Sequence, residues 1–336
     1  MFIVSTYGTA VFCCLITMLC WGSWANTQKL AQANWRFELF YVDYVLGIVL
    51  TALLLAFTLG STGADGRSFL ADLGQANTAN LGLAIWGGVL FNAANILLGA
   101  AIAIAGMSVA FPVGIGLALV IGVVVNYLDA PVGNAGLLFG GVALVMGAVL
   151  FNAGAYRKLA GATAAGGRSG VSTKGLVLSV VAGVLMGFFY KYVAASMTTD
   201  FAQPEVGKLT PYTALVFFAL GILLSNLLFN TYLIYRPFVG EPTSYRAYFR
   251  GSLRDHGMGL LGGFVWMLGM SLSILASEKA GPAISYGLGQ GATVVAALWG
   301  IYIWREFRGA PRGTSTLLNA MLLCYVIGLG LIIAAR

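Results

Sequence analysis

Residues 105–129 read AGMSVAFPVGIGLALVIGVVVNYLD, and residues 280–304 read AGPAISYGLGQGATVVAALWGIYIW. Slid by 175 residues, Ala105, Gly106, Gly114, Gly116, Val120 and Tyr127 fall on Ala280, Gly281, Gly289, Gly291, Val295 and Tyr302. Val109 meets Ile284, and Phe111 meets Tyr286. A repeat at half the chain length implies two halves of one design. In an apolar chain, that design is the signature of a transporter built from internal repeats.

The rest of the sequence supplies the apolar setting. Of the 336 residues, 59% are hydrophobic and only 9% charged. A soluble domain carries about 25% charged residues, so the composition excludes that class and points to repeated membrane burial. The net charge of +7 comes from Lys and Arg gathered in particular loops, which reads as membrane orientation and not as nucleic-acid binding. The four cysteines all lie in apolar runs, and no Cys/His set has metal spacing. No cofactor is expected. His256 is read as an isolated loop residue.

A membrane span needs about 20 mostly apolar residues. Ten are expected, at 6–25, 39–59, 81–104, 107–128, 136–154, 175–197, 212–234, 257–277, 282–303 and 315–334. The first is too long, and lacks the basic start, for a cleaved signal peptide. The sequence therefore predicts an all-α integral membrane protein with ten transmembrane helices. Five spans per half is an odd number, so the two five-helix repeats, 1–154 and 175–336, are inverted in the membrane. The Gly/Ala/Ser-rich, basic stretch 155–174 reads as the linker between them. It contains Gly161-x4-Gly166, but Gly167 and Arg168 follow where a phosphate loop requires Lys-Ser/Thr; an ATP site is rejected. Of 18 Lys and Arg residues, 13 fall in loops that would be cytoplasmic if both termini lie outside. This bias predicts outside termini and a cytoplasmic linker, in the cell (inner) membrane.

Polar groups inside spans need a reason to be there. Asp43 lies about 6 Å into the second span and Lys191 about 24 Å into the sixth. The depth difference of about 18 Å argues against a direct pair. A carboxylate at Asp43 is the candidate for proton coupling, against a bland pairing at the inner interface with Arg36 or a loop amine. Lys191 is the candidate cavity cation, against simple snorkelling to the interface. Asn95 and Gln290 lie deep in elements of the doubled region, where inverted-repeat transporters hold substrate, and Asn92 accompanies Asn95. Amides at Asn126, Asn152, Asn226 and Asn230 read as interhelical hydrogen bonding. Trp21, Trp266 and Trp299 lie deep enough to offer flat apolar faces to a ring, whereas Trp24, Trp86 and Trp304 read as interfacial belt residues. Where the two copies differ, Ile115 becomes Gln290 and Val124 becomes Trp299. Those positions are expected to carry substrate choice.

Several stretches resemble a known group. They are VDYVLGIVLTALLLAFTLG (42–60), GGVLFNAANI with GMSV (87–96, 106–109), VVNYLD (124–129), KLTPYTA (208–214) and LWGIYIWREFRG (298–309). With ten spans and a tight third-to-fourth turn, the chain resembles the drug/metabolite transporter superfamily. It is most similar there to the ureide permease family and its bacterial relatives. A weaker similarity, in GMSV and in the Gly-x-Gly-Gln of the ninth span, is to glucose/ribose porters and rhamnose–proton symporters. The resemblance implies proton-driven uptake of a small polar metabolite, a ureide, nucleobase or sugar, by alternating access. It places Asp43, Asn95 and Gln290 on the path. The plant permeases have a much longer central loop with a phosphate-loop-like motif, absent here.

The expected function is therefore secondary active transport, with a proton or sodium as coupling ion and the lipid bilayer as surroundings. A homodimer is left open, and no nucleic acid is involved. An exporter of the same superfamily is the alternative, told apart by the direction of flux. A multi-pass enzyme would need reactive groups clustered at one interface, and no Ser/His/Asp, Cys/His or paired-carboxylate set is present. A receptor has no use for pseudo-symmetry across a membrane.

Overall fold

A computed structural model describes residues 1–32, 34–163 and 172–336. Residues 164–171, which carry part of the expected linker and the Gly166–Arg168 end of the rejected phosphate loop, lie outside the described residues. The protein is an all-α membrane bundle. Its helices are α1 (Tyr7–Ser23), α2 (Asn26–Leu30), α3 (Phe37–Phe57), α4 (Phe69–Gln75), α5 (Thr78–Ala105), α6 (Met107–Asp129), α7 (Ala135–Thr163), α8 (Thr173–Ser196), α9 (Pro211–Tyr235), α10 (Tyr245–Tyr248), α11 (Leu253–Ala280), α12 (Pro282–Gly289), α13 (Ala292–Leu298) and α14 (Thr314–Ala334). Among the described residues there is no strand beyond an isolated bridge between Met197 and Leu209. Among the described residues, nine segments are long and apolar enough to cross a bilayer, with α12, α13 and the π-helical turn Trp299–Ile303 forming one of them. The tenth apolar helix, α1, has 17 residues, or about 26 Å at 1.5 Å per residue. The Tyr7 hydroxyl donates to the Ile333 carbonyl at 2.5 Å, so both ends of the chain lie on one face.

Span boundaries agree with the apolar runs to within a few residues, with three departures. Helix α7 continues to Thr163, through the expected start of the linker at 155. Short helices α2, α4 and α10 occupy stretches too polar and brief to show a period. The ninth span is broken: α12 ends at Gly289, Gln290 and Gly291 form a turn, and α13 resumes at Ala292. The run Gly-Leu-Gly-Gln-Gly explains the break, since glycine weakens a helix interior. Its counterpart α6 stays continuous, although Pro112 lies inside it.

Lipid tails are as apolar as leucine, so membrane helices associate through close packing and not through burial from water. Helix α5 packs on α8 and α9, α11 on α1 and α3, and α7 on α14. At the crossing of α3 and α11, a Cβ on Gly263 would collide with the Tyr44 carbonyl, and one on Gly47 with the Leu260 carbonyl. At the crossing of α5 and α9, Gly88 meets the Phe218 carbonyl and Gly221 the Ile85 carbonyl in the same way. Gly88 and Gly263 are separated by 175 residues, the offset of the doubled passage.

The face holding the chain ends is closed by loops. Asp72 of α4 is fully buried. It accepts from Arg67 Nε at 2.9 Å and from the backbone N–H and hydroxyl of Thr210 at 2.7 and 2.9 Å. Arg67 also donates to the carbonyls of Pro204, Glu205 and Lys208. The loop after α3 is thereby tied to the loop before α9.

Replacing Gly263 by Val should force α3 and α11 apart. Overpacking of this kind costs about 1–3 kcal/mol. A fall of several degrees in the melting midpoint of detergent-purified protein is expected, with Gly257→Val, which has open space around it, as the control.

Candidate substrate cavity

The bundle holds a cavity of about 910 Å³, within the usual range for small-molecule sites. It opens on the face opposite the chain ends, where Lys29, Arg36, Phe238–Gly240, Trp304 and Glu306 form its mouth. Its walls come from α1, α3, α5, α6, α7, α8, α11 and the broken ninth span.

The deep part of the wall is aromatic and uncharged. Trp21 and Trp266 stack at 5.8 Å between centroids with a 10° interplanar angle, and Trp21 Nε1 donates to the Trp266 carbonyl at 3.2 Å. The two rings are thus held near parallel against each other, each on the cavity wall. Phe91 leans on Trp266 at 4.2 Å and on Phe189 at 5.3 Å. Behind Phe189, Tyr190 and Tyr286 pack at 5.3 Å from one another and seal the route toward the closed face. Tyr190 there bonds Ser273 and Ser285, both buried.

Besides Asn26 and Gln28 of α2, three amides line this cavity. Asn95 donates from Nδ2 to the Tyr41 hydroxyl at 3.1 Å, and its carbonyl oxygen has no donor among the described residues. Gln290, in the break of the ninth span, has no side-chain hydrogen bond to a described residue. Asn152 on α7 is 5% exposed, and its Oδ1 is buried without a partner among the described residues. Such a group in an apolar interior is costly unless a ligand or water meets it. Ile115 lies on the wall with Gln290, so one of the paired positions that differ between the two copies lines the cavity on both sides.

Charge is confined to the mouth. Lys29 pairs with Glu306 at 2.9 Å, and Arg36 with Glu38 at 2.9 Å. The Tyr156 hydroxyl donates to the second Glu306 oxygen at 2.6 Å. Burial pushes the Glu306 carboxyl up, but the hydrogen bonds from Lys29 and Tyr156 and the Lys29 charge outweigh it and hold it below its ordinary value. Glu306 therefore stays ionised at neutral pH.

The sequence-predicted residues divide accordingly. Asn95, Gln290, Trp21 and Trp266 meet in the cavity. Asn92 does not: it is fully buried, its Oδ1 accepts from Tyr41 and its Nδ2 donates to Ser225 Oγ, so its amide fastens α3, α5 and α9. Trp299 is not on the wall; it donates to Ser23 Oγ at 2.9 Å. Trp304 takes that place and donates to Asn26 Oδ1. The π-helical turn is the reason, because its extra residue per turn shifts which side chains face inward. Lys191 is not on the cavity wall. It reaches out to Asp129 at 2.9 Å, both groups partly exposed at the far end of α6 and α8.

Asp43 stands apart from the cavity, on the α3–α11 seam, and is 3% exposed. Arg36 is engaged by Glu38, so Asp43 bonds instead to His256 Nδ1 at 2.8 Å and to the Tyr248 hydroxyl at 2.6 Å. Burial and the Asp43 carboxylate raise Tyr248 above its ordinary value. His256 is neither in a loop nor alone: it lies in the first turn of α11. Its only sequence signal was being the single histidine of the chain, since Asp43 lies 213 residues away.

The comparisons with known proteins agree with this architecture. The ureide permease family model matches residues 40–166 and 167–335. Ureide permease 1 of Arabidopsis thaliana is 26% identical over 387 residues, covering 100% of this chain and 99% of that protein. Ureide permease 3 of the same plant is 28% identical, covering 84% and 89%. A probable ureide permease A3 of Vigna unguiculata is 24% identical, covering 93% and 99%. A chain of known crystal structure superposes with a TM-score of 0.61 at 13% identity, over 97% of this chain and 96% of the other, which speaks to the fold alone. With nine or more apolar spans around a central cavity and family sequence running through both halves, the chain belongs to the ureide permease family, as a multi-pass membrane transporter and not an enzyme.

Proposed function

We propose that the cavity carries a neutral, planar, amide-rich solute of the ureide or nucleobase class. The observation that carries this reading is the Gln290 side chain, which faces the pocket with neither its donor nor its acceptor bonded to a described residue. A cyclic urea presents alternating N–H and C=O groups that match an amide edge to edge, and its flat face suits the Trp21–Trp266 surface. The printed names of the relatives point the same way. Charged solutes are disfavoured, because the deep wall offers no counter-ion and the charges at the mouth are already paired.

The transport cycle proposed is alternating access between two inverted repeats, 1–154 and 175–336. The exchange of partners supports it: α5 meets α8 and α9 as α11 meets α1 and α3. In this reading the structure is the state open to the cytoplasm of a cell-membrane protein with both termini outside. The proton enters the scheme at Asp43. Protonating that carboxylate would remove the charge that attracts His256 and loosen the α3–α11 seam, so Asp43 would act on the cavity through helix packing and not by touching solute.

In proteoliposomes, allantoin or uracil should accumulate when a proton gradient is imposed, and Gln290→Leu should raise KM about tenfold, equivalent to about 1.4 kcal/mol. Accumulation of a hexose with neither ureide nor pyrimidine transported would overturn the substrate reading. Asp43→Asn should abolish the dependence of accumulation on the proton gradient while counterflow exchange persists; unchanged pH dependence would remove Asp43 from the coupling role. In a background with its native cysteines replaced by serine, a membrane-impermeant maleimide should modify Q290C from the cytoplasmic side. N92C should resist modification from either side.

A further inference from the structure

A second recess of about 460 Å³ lies beside the mouth of the cavity, between the stretch 32–39 and the loop 243–255. Its wall carries three arginines, Arg36, Arg246 and Arg250, with Gln32, Asn34, Trp35, Thr243 and Ser252. Asp255, the only carboxylate on this wall among the described residues, is spent: its Oδ1 accepts from Gln32 N at 2.9 Å, and its Oδ2 from the Ser252 N–H and hydroxyl at 3.1 and 2.7 Å. Arg36 holds Glu38. Arg246 of α10 and Arg250 just beyond its end meet no carboxylate among the described residues. The Trp35 indole N–H, a pure donor, also has no acceptor there. The recess is rich in donors and its one carboxylate among the described residues is already bonded, which is the chemistry of an anion site.

Its surroundings indicate where the anion comes from. The recess sits where α9 ends and α11 begins, at the level of a lipid headgroup. Phe249 and Leu253, at its rim, are 78% and 92% exposed, and Val239 in the same loop is half exposed. Apolar side chains flanking arginines at the end of a span suit acyl chains below a phosphate. Basic pockets at this level between membrane helices take anionic headgroups. We infer that this recess binds the phosphate headgroup of an anionic phospholipid, through Arg246 and Arg250. Arg36 lies on the walls of both the recess and the solute cavity, so a bound headgroup sits directly against the mouth.

The test uses full-length protein purified in neutral detergent, with thermal unfolding and native mass spectrometry as readouts. Phosphatidylglycerol should raise the melting midpoint by several degrees and survive as a bound adduct, whereas phosphatidylcholine should do neither. An Arg246→Gln, Arg250→Gln double variant should unfold at the wild-type midpoint without lipid and bind phosphatidylglycerol about tenfold or more weakly. An Arg308→Gln, Arg312→Gln double variant, altered elsewhere on the same face, should bind it as the wild type does. Equal binding by the first variant, equal stabilisation by phosphatidylcholine, or equal stabilisation by inorganic phosphate would each overturn the lipid assignment.

Discussion

Backbone contact between helices is the constraint on which this bundle depends. In hydrocarbon, a helix gains little by hiding leucine from lipid, so attraction must come from surfaces close enough for dispersion contacts. Paired glycines provide this at α3–α11 and α5–α9, and Gly141 and Gly328 do so between α7 and α14. Because these crossings bring main chain against main chain, they leave no room for side chains to adapt. The helices around the cavity are thereby held as units, and the space between them is left open.

Polar groups complete the arrangement where packing alone would be ambiguous. Asn92 joins three helices through one amide, and Asp43 joins α3 to the first turn of α11 through His256 and to α10 through Tyr248. These groups are fully occupied by protein. Gln290 and Asn152 differ from them in having spare hydrogen-bonding capacity beside open volume. Spare capacity is not enough by itself, since the Oδ1 atoms of Asn226 and Asn230 are also buried without a partner among the described residues; spare capacity beside open volume is what separates site from scaffold here.

Much of this was legible in the sequence, for identifiable reasons. Composition and twenty-residue apolar runs give the class and the spans, because hydrocarbon thickness imposes length directly. Asn95 and Gln290 stand out because an amide in such a run needs a purpose. The sequence does not disclose partners that are remote along the chain, such as Asp129 for Lys191 or His256 for Asp43. Nor does it disclose local helix irregularity: the π-helical turn exchanges Trp304 for Trp299 on the wall, and no period in the residues from 292 to 304 announces the extra residue. Asn152 was indistinguishable in sequence from Asn226 and Asn230, and only the volume beside it sets it apart.

The loop latch on the closed face has a consequence for energetics. Arg67 and Asp72 join the segment after α3 to the segment before α9 through a fully buried carboxylate and several carbonyls. Hydrogen bonds to charged groups are worth about 1.5–3 kcal/mol each. Any rearrangement that admitted water from that side would have to give up several of them together. An occupant can shift such an equilibrium only by the difference in its affinity for the two states. In the alternating-access cycle proposed above, the latch would set a threshold on ligand discrimination: a weakly held molecule would leave by the mouth through which it entered, and only one gripped more firmly in the rearranged cavity would be carried across.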